Sequence, residues 1–111
     1  MMNLSQVRKF ALSLQAVTEE PHFHRTSFRV RGKIFVTADP KERFIHVFLG
    51  EQVREPMLAM HPDCLEKLLW GGKAVGLRVS LEHADSEVVR ELVKKAWQAK
   101  APKSMVREAG E

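Results

Sequence analysis

The stretch that decides the fold is residues 18–38, TEEPHFHRTSFRVRGKIFVTA. Two runs rich in β-branched and aromatic residues meet at Gly32, which can adopt the positive φ that a tight hairpin turn requires. The stretch therefore predicts a β-hairpin, with a first strand over about His22–Arg31 and a second over about Lys33–Ala38.

The same hairpin carries the excess charge of the chain. The chain has 18 basic and 14 acidic residues. Five of the basic residues and one of the acidic residues lie between Pro21 and Lys41, which leaves 13 of each elsewhere. The net charge of +4 is therefore concentrated in this region. A basic surface is compatible with a phosphate-rich partner, and mild basicity is equally compatible with solubility alone.

Length and composition indicate one globular domain. The chain has 111 residues, 44% of them hydrophobic, and no apolar run approaches the roughly 20 residues that a bilayer requires. The single cysteine, Cys64, excludes an intrachain disulfide and is typical of a reducing compartment. We expect a domain over residues 1–102, a flexible C-terminal tail over 103–111, a cytoplasmic location and no membrane partner.

Hydrophobic periodicity and turn residues predict the other elements. Residues 3–14 form an amphipathic helix capped by Asn3, and Pro56 confines the regular part of a second helix to the residues that follow it. The remaining predictions are a third strand over about 43–49, a helical region over 50–60, a segment 64–70 that fits either a helical turn or a hairpin strand, a strand over 75–82, and a last helix from 85 or 86 to about 99. This order predicts a two-layer α+β sandwich with helices on one face of the sheet.

Several short motifs in this order resemble one family. They are ALSL at 11–14 followed by VTE at 17–19, SFRVRGKIF at 27–35, WG at 70–71, and AW at 96–97 followed by APK at 101–103. The chain resembles the MmcQ/YjbR-like proteins, small bacterial domains described as DNA-binding. The resemblance implies an α-β-β-β-α-β-β-α domain with an antiparallel sheet, similar to the secretion-chaperone class, and it favours a short strand over Cys64–Leu68.

Arginines on one strand face suggest where a partner could dock. Arg25, Arg29 and Arg31 share one face of the first predicted strand, and Arg78 points outward from the last. The planar guanidinium forms bidentate bonds to phosphate, which give affinity without reading sequence. The alternative is an ordinary solvated sheet face. The candidate nucleic-acid-binding residues are Arg25, Arg29, Arg31, Lys33, Lys41, Arg43, Lys73 and Arg78.

Histidine spacing raises a second possibility. His22 and His24 lie two residues apart and so share a strand face, and His46 on a neighbouring strand could complete a metal site. Their face continues into Phe28 and Val30, however, and this continuation favours histidines at a half-buried strand end. We therefore predict neither a metal nor another cofactor.

Catalytic signals are absent from the sequence. Cys64 has no adjacent histidine or other base to activate it, and no phosphate loop or nucleophile elbow occurs. Trp97 falls on the buried stripe of the last helix, whereas Trp70 precedes a glycine turn and could anchor a protein partner.

These features predict a non-enzymatic DNA-binding module of low specificity that contacts phosphates through its basic hairpin and sheet face. The alternative is a protein-interaction or dimerising module, as the chaperone-like architecture suggests. No helix-turn-helix or zinc-finger signature supports sequence-specific recognition.

Overall fold

The computed structural model describes residues 1–109 of the protein. The elements in these residues are α1 (Leu4–Ser13), β1 (Val17–His22), β2 (Arg25–Val30), β3 (Lys33–Ala38), β4 (Phe44–Phe48), α2 (Glu51–Met60), β5 (Leu65–Trp70), β6 (Lys73–Ser80), α3 (Ser86–Lys100) and α4 (Lys103–Glu108).

The strands form one antiparallel sheet in the order β1-β2-β3-β4-β6-β5. Helix α3 packs on β3 and β4, α1 on β1 and α3, and α2 on β5 and β6. Successive residues of a strand point to opposite faces of the sheet. Lys67 of β5 points to the face on which α2 lies, because it forms an ion pair of 3.3 Å with Glu55 of α2. The long helices therefore share one face of the sheet, which confirms the predicted α+β sandwich.

The first predicted strand is divided in two. Strand β1 begins at Val17, and Phe23 adopts a φ of 58° in the turn that leads into β2. Residues 17–21 of β1, which include Pro21, precede the strand that was predicted from about His22. Strand β1 lies at the edge of the sheet, and an edge strand tolerates proline because one of its sides needs no hydrogen-bond donors.

The other hairpins follow their glycines. Arg31 and Gly32 have φ values of 53° and 79°, and Gly71 and Gly72 have 59° and 82°. Pairs of residues with positive φ match the twist of the strands they connect. The first pair confirms the predicted hairpin, and the second joins β5 to β6, so the ambiguous segment 64–70 is a strand.

Three predictions about helices can be compared with the structure. The Asn3 cap is confirmed, since its side chain accepts a 2.9 Å bond from the Gln6 backbone N–H. The prediction that only the residues after Pro56 form regular helix was wrong. Helix α2 begins at Glu51 and includes Pro56, where the helix lacks one backbone hydrogen bond. The predicted flexible tail contains α4 instead, with Met105 buried, and its residues 110–111 lie outside the described residues.

A β-bulge sets which side chains face the core. The register of β2 against β3 shifts between Phe28 and Arg29, so that Arg29 pairs with Ile34. Phe35 and Val36 are both buried, whereas Ile34 turns to the opposite face of the sheet. Within residues 1–109, none of the helices has the length and apolar character needed to cross a membrane.

Candidate functional site

The sheet face opposite the long helices carries a row of polar residues. Ser27 pairs with Thr37, Thr37 with His46, His46 with Arg78, and Arg78 with Glu66. Residues paired across antiparallel strands point to the same side, so this row crosses five neighbouring strands. We call this side the open face.

The predicted arginines of the two strands lie on the open face and are held by neighbours. Arg25 donates from Nε to Thr37 Oγ1 over 3.3 Å and lies 3.7 Å from the Glu42 carboxylate. Arg29 donates from Nε to Ser27 Oγ over 2.9 Å. Arg78 donates to Glu66 over 2.7 Å, and its guanidinium lies 3.7 Å above the centre of the Phe44 ring.

The other predicted residues divide between the two ends of the strands. Arg31, Lys33 and Lys73 are exposed at the end where Trp70 pairs with Lys73. Lys41 and Arg43 are exposed in the turn at the other end. Because a strand of five or six residues is roughly 17–20 Å long, the eight candidates do not form one compact patch.

Two adjoining cavities of about 380 and 470 Å³ lie along the open face. His22, Thr37 and Trp70 line both cavities. His22 and Trp70 belong to opposite edge strands and opposite strand ends, so they occupy diagonal corners of the sheet. A twisted sheet brings one diagonal pair of corners toward the same face. We call the two cavities together the trough.

The lining of the trough is cationic and aromatic. Among the described residues, no aspartate or glutamate lines either cavity. The basic groups are Arg25, Arg54, Lys100 and three histidines, and the aromatic rings are Phe23, Phe48 and Trp70; Phe48 and Trp70 are in contact, with centroids 5.3 Å apart. The remaining lining residues are Ile34, Thr37, Leu49, Gly50, Ala74 and Val75.

A third cavity, of about 620 Å³, has a different composition. Its charged lining residues are Lys41, Glu42, Arg43, Asp63, Glu66, Arg78 and Glu82. Two of its cations already have acidic partners, since Arg43 lies 3.6 Å from Glu82 and Arg78 is bonded to Glu66. We call this the mixed-charge cavity.

His46 lines the trough and pairs across the sheet with Arg78, which lines the mixed-charge cavity. Burial is the main cause that lowers the pKa of this imidazole to about 4; the positive charges of Arg25 and Arg78 act in the same direction, and Glu42 opposes them. The ring is therefore neutral at physiological pH. In this state it offers both a hydrogen-bond donor and an acceptor to whatever occupies the trough.

The predicted histidine pair is not on a continuous strand. His22 ends β1 and is half-buried, whereas His24 is exposed in the turn and lies 3.8 Å from Asp39. Both line the same cavity as His46. Nevertheless, no group of three or more histidine, cysteine or acidic side chains within residues 1–109 is arranged to hold a metal ion.

Sequence reasoning missed several residues of the trough. Arg54 is buried on α2 and donates to the Leu49 carbonyl over 3.1 Å, and no local pattern marks it. Lys100 and Phe48 were not among the candidate residues. Thr37 had no assigned role. The alternation of β3 and β4 could have identified Thr37 and His46 as neighbours, but only with the strand order known.

Cys64 is not positioned for chemistry. Its thiol is buried and contacts the His61 carbonyl at 3.7 Å. Burial raises the pKa of the thiol, and Asp63 and Asp85 raise it further, so the nucleophilic thiolate is disfavoured.

Comparison with known proteins agrees with the fold and identifies the family. A solved structure that is similar is the crystal structure of the Deinococcus radiodurans protein DR2400, which has a DUF419 domain; its TM-score is 0.77 at 17% identity, over 99% of this chain and 89% of that one. No curated protein matches the sequence. The model of the YjbR family matches residues 12–99. The predicted resemblance is thus confirmed: the chain belongs to the YjbR family.

Proposed function

We propose that the protein is a non-enzymatic nucleic-acid-binding module whose phosphate-binding surface is the trough. The observation that carries this proposal is the lining of the trough, which combines cationic side chains and aromatic rings without a carboxylate among the described residues. A concave surface of one charge sign, walled by protein, focuses the potential that attracts a polyanion.

Cations around the trough extend this surface. Arg31, Lys33 and Lys73 are exposed at the strand end that also holds Trp70, and none forms an ion pair with a described residue. Their side chains are therefore available to a phosphate backbone that passes this end of the sheet. Such contacts bind all sequences alike, which supports DNA as a partner that is bound with low sequence specificity.

The proposal moves the binding surface relative to the sequence prediction. Arg25 belongs both to the predicted surface and to the trough. Lys41, Arg43 and Arg78 lie instead in the mixed-charge cavity, where four acidic residues compete with phosphate. Arg78 gains little from a phosphate, because its 2.7 Å bond to Glu66 must be broken first, whereas Arg25, although 3.7 Å from Glu42, keeps Nη2 without a hydrogen-bond partner in the described residues.

Salt-dependent binding tests the proposal. Fluorescence anisotropy of a labelled duplex and a labelled single strand is measured while salt rises from about 50 to 200 mM, where phosphate contacts lose most of their affinity. We expect a steep decline. Lys73→Gln with Lys100→Gln should weaken binding and flatten the salt dependence, because both cations lie at the trough.

The matched control is Lys41→Gln with Arg43→Gln, which removes the same two charges from the mixed-charge cavity. We expect this variant to bind nearly as well as wild type. Equal losses in both double variants would show that net charge, and not the trough, governs binding. Absence of binding to both nucleic acids at low salt would contradict the proposal.

A second candidate function is protein association through β5. This strand is at the sheet edge, and its Leu69 and Trp70 are 54% and 55% exposed. An edge strand with apolar side chains can pair with a strand of another chain. Sedimentation at high salt tests it: a dimer that Leu69→Lys dissociates would support association, and a monomer at all concentrations would contradict it.

A further inference from the structure

Two large aromatic side chains stand at the edges of the trough. Phe23 is 91% exposed and Trp70 is 55% exposed, and both line the cavity of about 380 Å³. Phe23 also holds a left-handed backbone with φ 58°, which is unfavourable for a residue with a Cβ. The fold thus keeps an apolar ring in water at an energetic cost.

The floor between these rings is polar and cationic. Thr37 and His46 lie there with Arg25, whose Nη2 is buried and has no hydrogen-bond partner within residues 1–109. A buried donor of a charged group is costly when it has no acceptor. A phosphate oxygen would be a suitable acceptor, and to admit it the half-exposed Glu42 side chain, 3.7 Å from Arg25 Nη1, would turn aside.

We propose that the trough holds one unpaired nucleobase with its phosphate, so that the protein prefers single-stranded nucleic acid to duplex. This inference rests on the proposed function and specifies its ligand. The base would stack on Trp70 and the phosphate would lie toward Arg25. The two adjoining cavities, of about 380 and 470 Å³, are within the size range of ligand pockets, about 300–1,000 Å³.

The preference for single strands follows from what a duplex exposes. In a duplex the bases are stacked on one another, and their faces are unavailable to a protein ring. An exposed aromatic side chain can therefore stack only on an unpaired base, and such stacking is sequence-tolerant because every base has a π-face. The cations of the trough would attract duplex and single strand alike, but Trp70 would favour the single strand.

Tryptophan fluorescence reports this contact directly. The protein has two tryptophans, and Trp97 is 1% exposed and donates to the Gln15 carbonyl over 3.0 Å. Quenching by a ligand in the trough must therefore come from Trp70. We expect strong quenching by an oligonucleotide of about ten nucleotides and weak quenching by a duplex of the same composition. In Trp70→Phe, the remaining emission should not respond to either.

Affinity measurements on a matched pair of variants complete the test. Trp70→Ala should weaken single-strand binding by about 10- to 100-fold and leave duplex binding within a factor of two. Leu69→Ala is the control, because Leu69 is equally exposed and adjacent but lies on the other face of β5. We expect Leu69→Ala to leave the affinities for single strand and duplex unchanged.

The outcomes separate this inference from the proposed function. Equal affinity for single strand and duplex, with no effect of Trp70→Ala, would overturn the inference and leave the proposed function standing. No binding of either form at low salt would overturn both. Quenching by a mononucleotide at the strand's affinity would support the base-with-phosphate ligand with a free nucleotide as its source, and much weaker mononucleotide binding would support a strand.

Discussion

The trough and the mixed-charge cavity lie on the same sheet and both contain arginine, yet their electrostatics differ. In the trough no described carboxylate lines the surface; Arg25 and Arg54 contact Glu42 and Glu55 beyond the lining, and Arg25 keeps one donor without a partner in residues 1–109. In the mixed-charge cavity, three cations share the surface with four acids, and Arg78 is already bonded to Glu66. The comparison teaches that the placement of carboxylates on the surface, more than the number of basic residues, decides where an anion can bind.

The largest expected effect is on β6, which contributes Ala74 and Val75 to the trough and Arg78 and Ser80 to the mixed-charge cavity. Gly76 lies in β6 opposite Phe48, and a Cβ at this position would collide with the Val47 carbonyl oxygen. Gly76→Ala must therefore displace backbone, and we expect unfolding free energy to fall by about 2 kcal/mol or more. Urea unfolding measures this. A variant as stable as wild type would mean that β4 and β6 separate easily, and the sheet would not fix the geometry of either cavity.

The next effect compares one arginine from each region. Arg25→Gln should weaken binding of a single-stranded oligonucleotide about tenfold and reduce its salt slope by about one, because one phosphate contact is lost. Arg78→Gln should change both by much less, since Arg78 donates to Glu66 over 2.7 Å, whereas Glu42 lies 3.7 Å from Arg25 and makes no hydrogen bond with it. Anisotropy at several salt concentrations measures this, with thermal melts to confirm folding. A larger effect in Arg78→Gln would reverse the assignment.

A smaller effect is expected when the trough is given a carboxylate. Gly50 is exposed, lines the trough and has free space around it. It is also the N-cap of α2, where aspartate and asparagine are both favourable. Gly50→Asp should weaken binding by roughly three- to fivefold without loss of stability, because a like charge now faces the phosphate. Gly50→Asn is the control, and equal binding by the two variants would contradict a charge effect.

The smallest expected effect concerns pH. The pKa of His46 is about 4, below its ordinary value of 6.5, so the unfolded state takes up a proton first as pH falls. The contribution of the neutral His46 ring to the free energy of unfolding is fully present above about pH 6.5 and is lost as the pH falls from 6.5 to 4. We expect a loss of about 1 kcal/mol after solvent screening, and a flatter profile in His46→Gln. Identical pH profiles of wild type and variant would contradict the depressed pKa.

Sequence reasoning recovered most of the fold because its signals are local. Asn3 capping, the glycine turn at Gly32 and the apolar stripe of α3 each depend on a few neighbouring residues. Strand β1 was missed because the turn at Phe23 is made by a non-glycine residue with positive φ, which has no sequence signature. Pro21 then concealed the strand, since nothing in the sequence shows that β1 is at an edge.

The candidate site was predictable only in part. Arg25 and Arg29 were correctly placed on one face and Arg78 on the outward side, because strand alternation is a local property, whereas Arg31, predicted on the same face, lies in the turn after β2. Which cations meet a carboxylate is not local: Arg78 and Glu66 are 12 residues apart and become partners through the pairing of β5 with β6. The trough itself depends on the order of six strands and on their twist, which bring His22 and Trp70 to one cavity.

The most direct test of the central claim is a map of the bound surface. Amide and indole NMR signals of the labelled protein are followed while an unlabelled single-stranded oligonucleotide is added. We predict shifts at Thr37, His46 and the Trp70 indole N–H, with Asp63 and Glu82 of the mixed-charge cavity unchanged. Shifts confined to the mixed-charge cavity, with the Trp70 indole unmoved, would contradict the assignment of the trough as the binding surface.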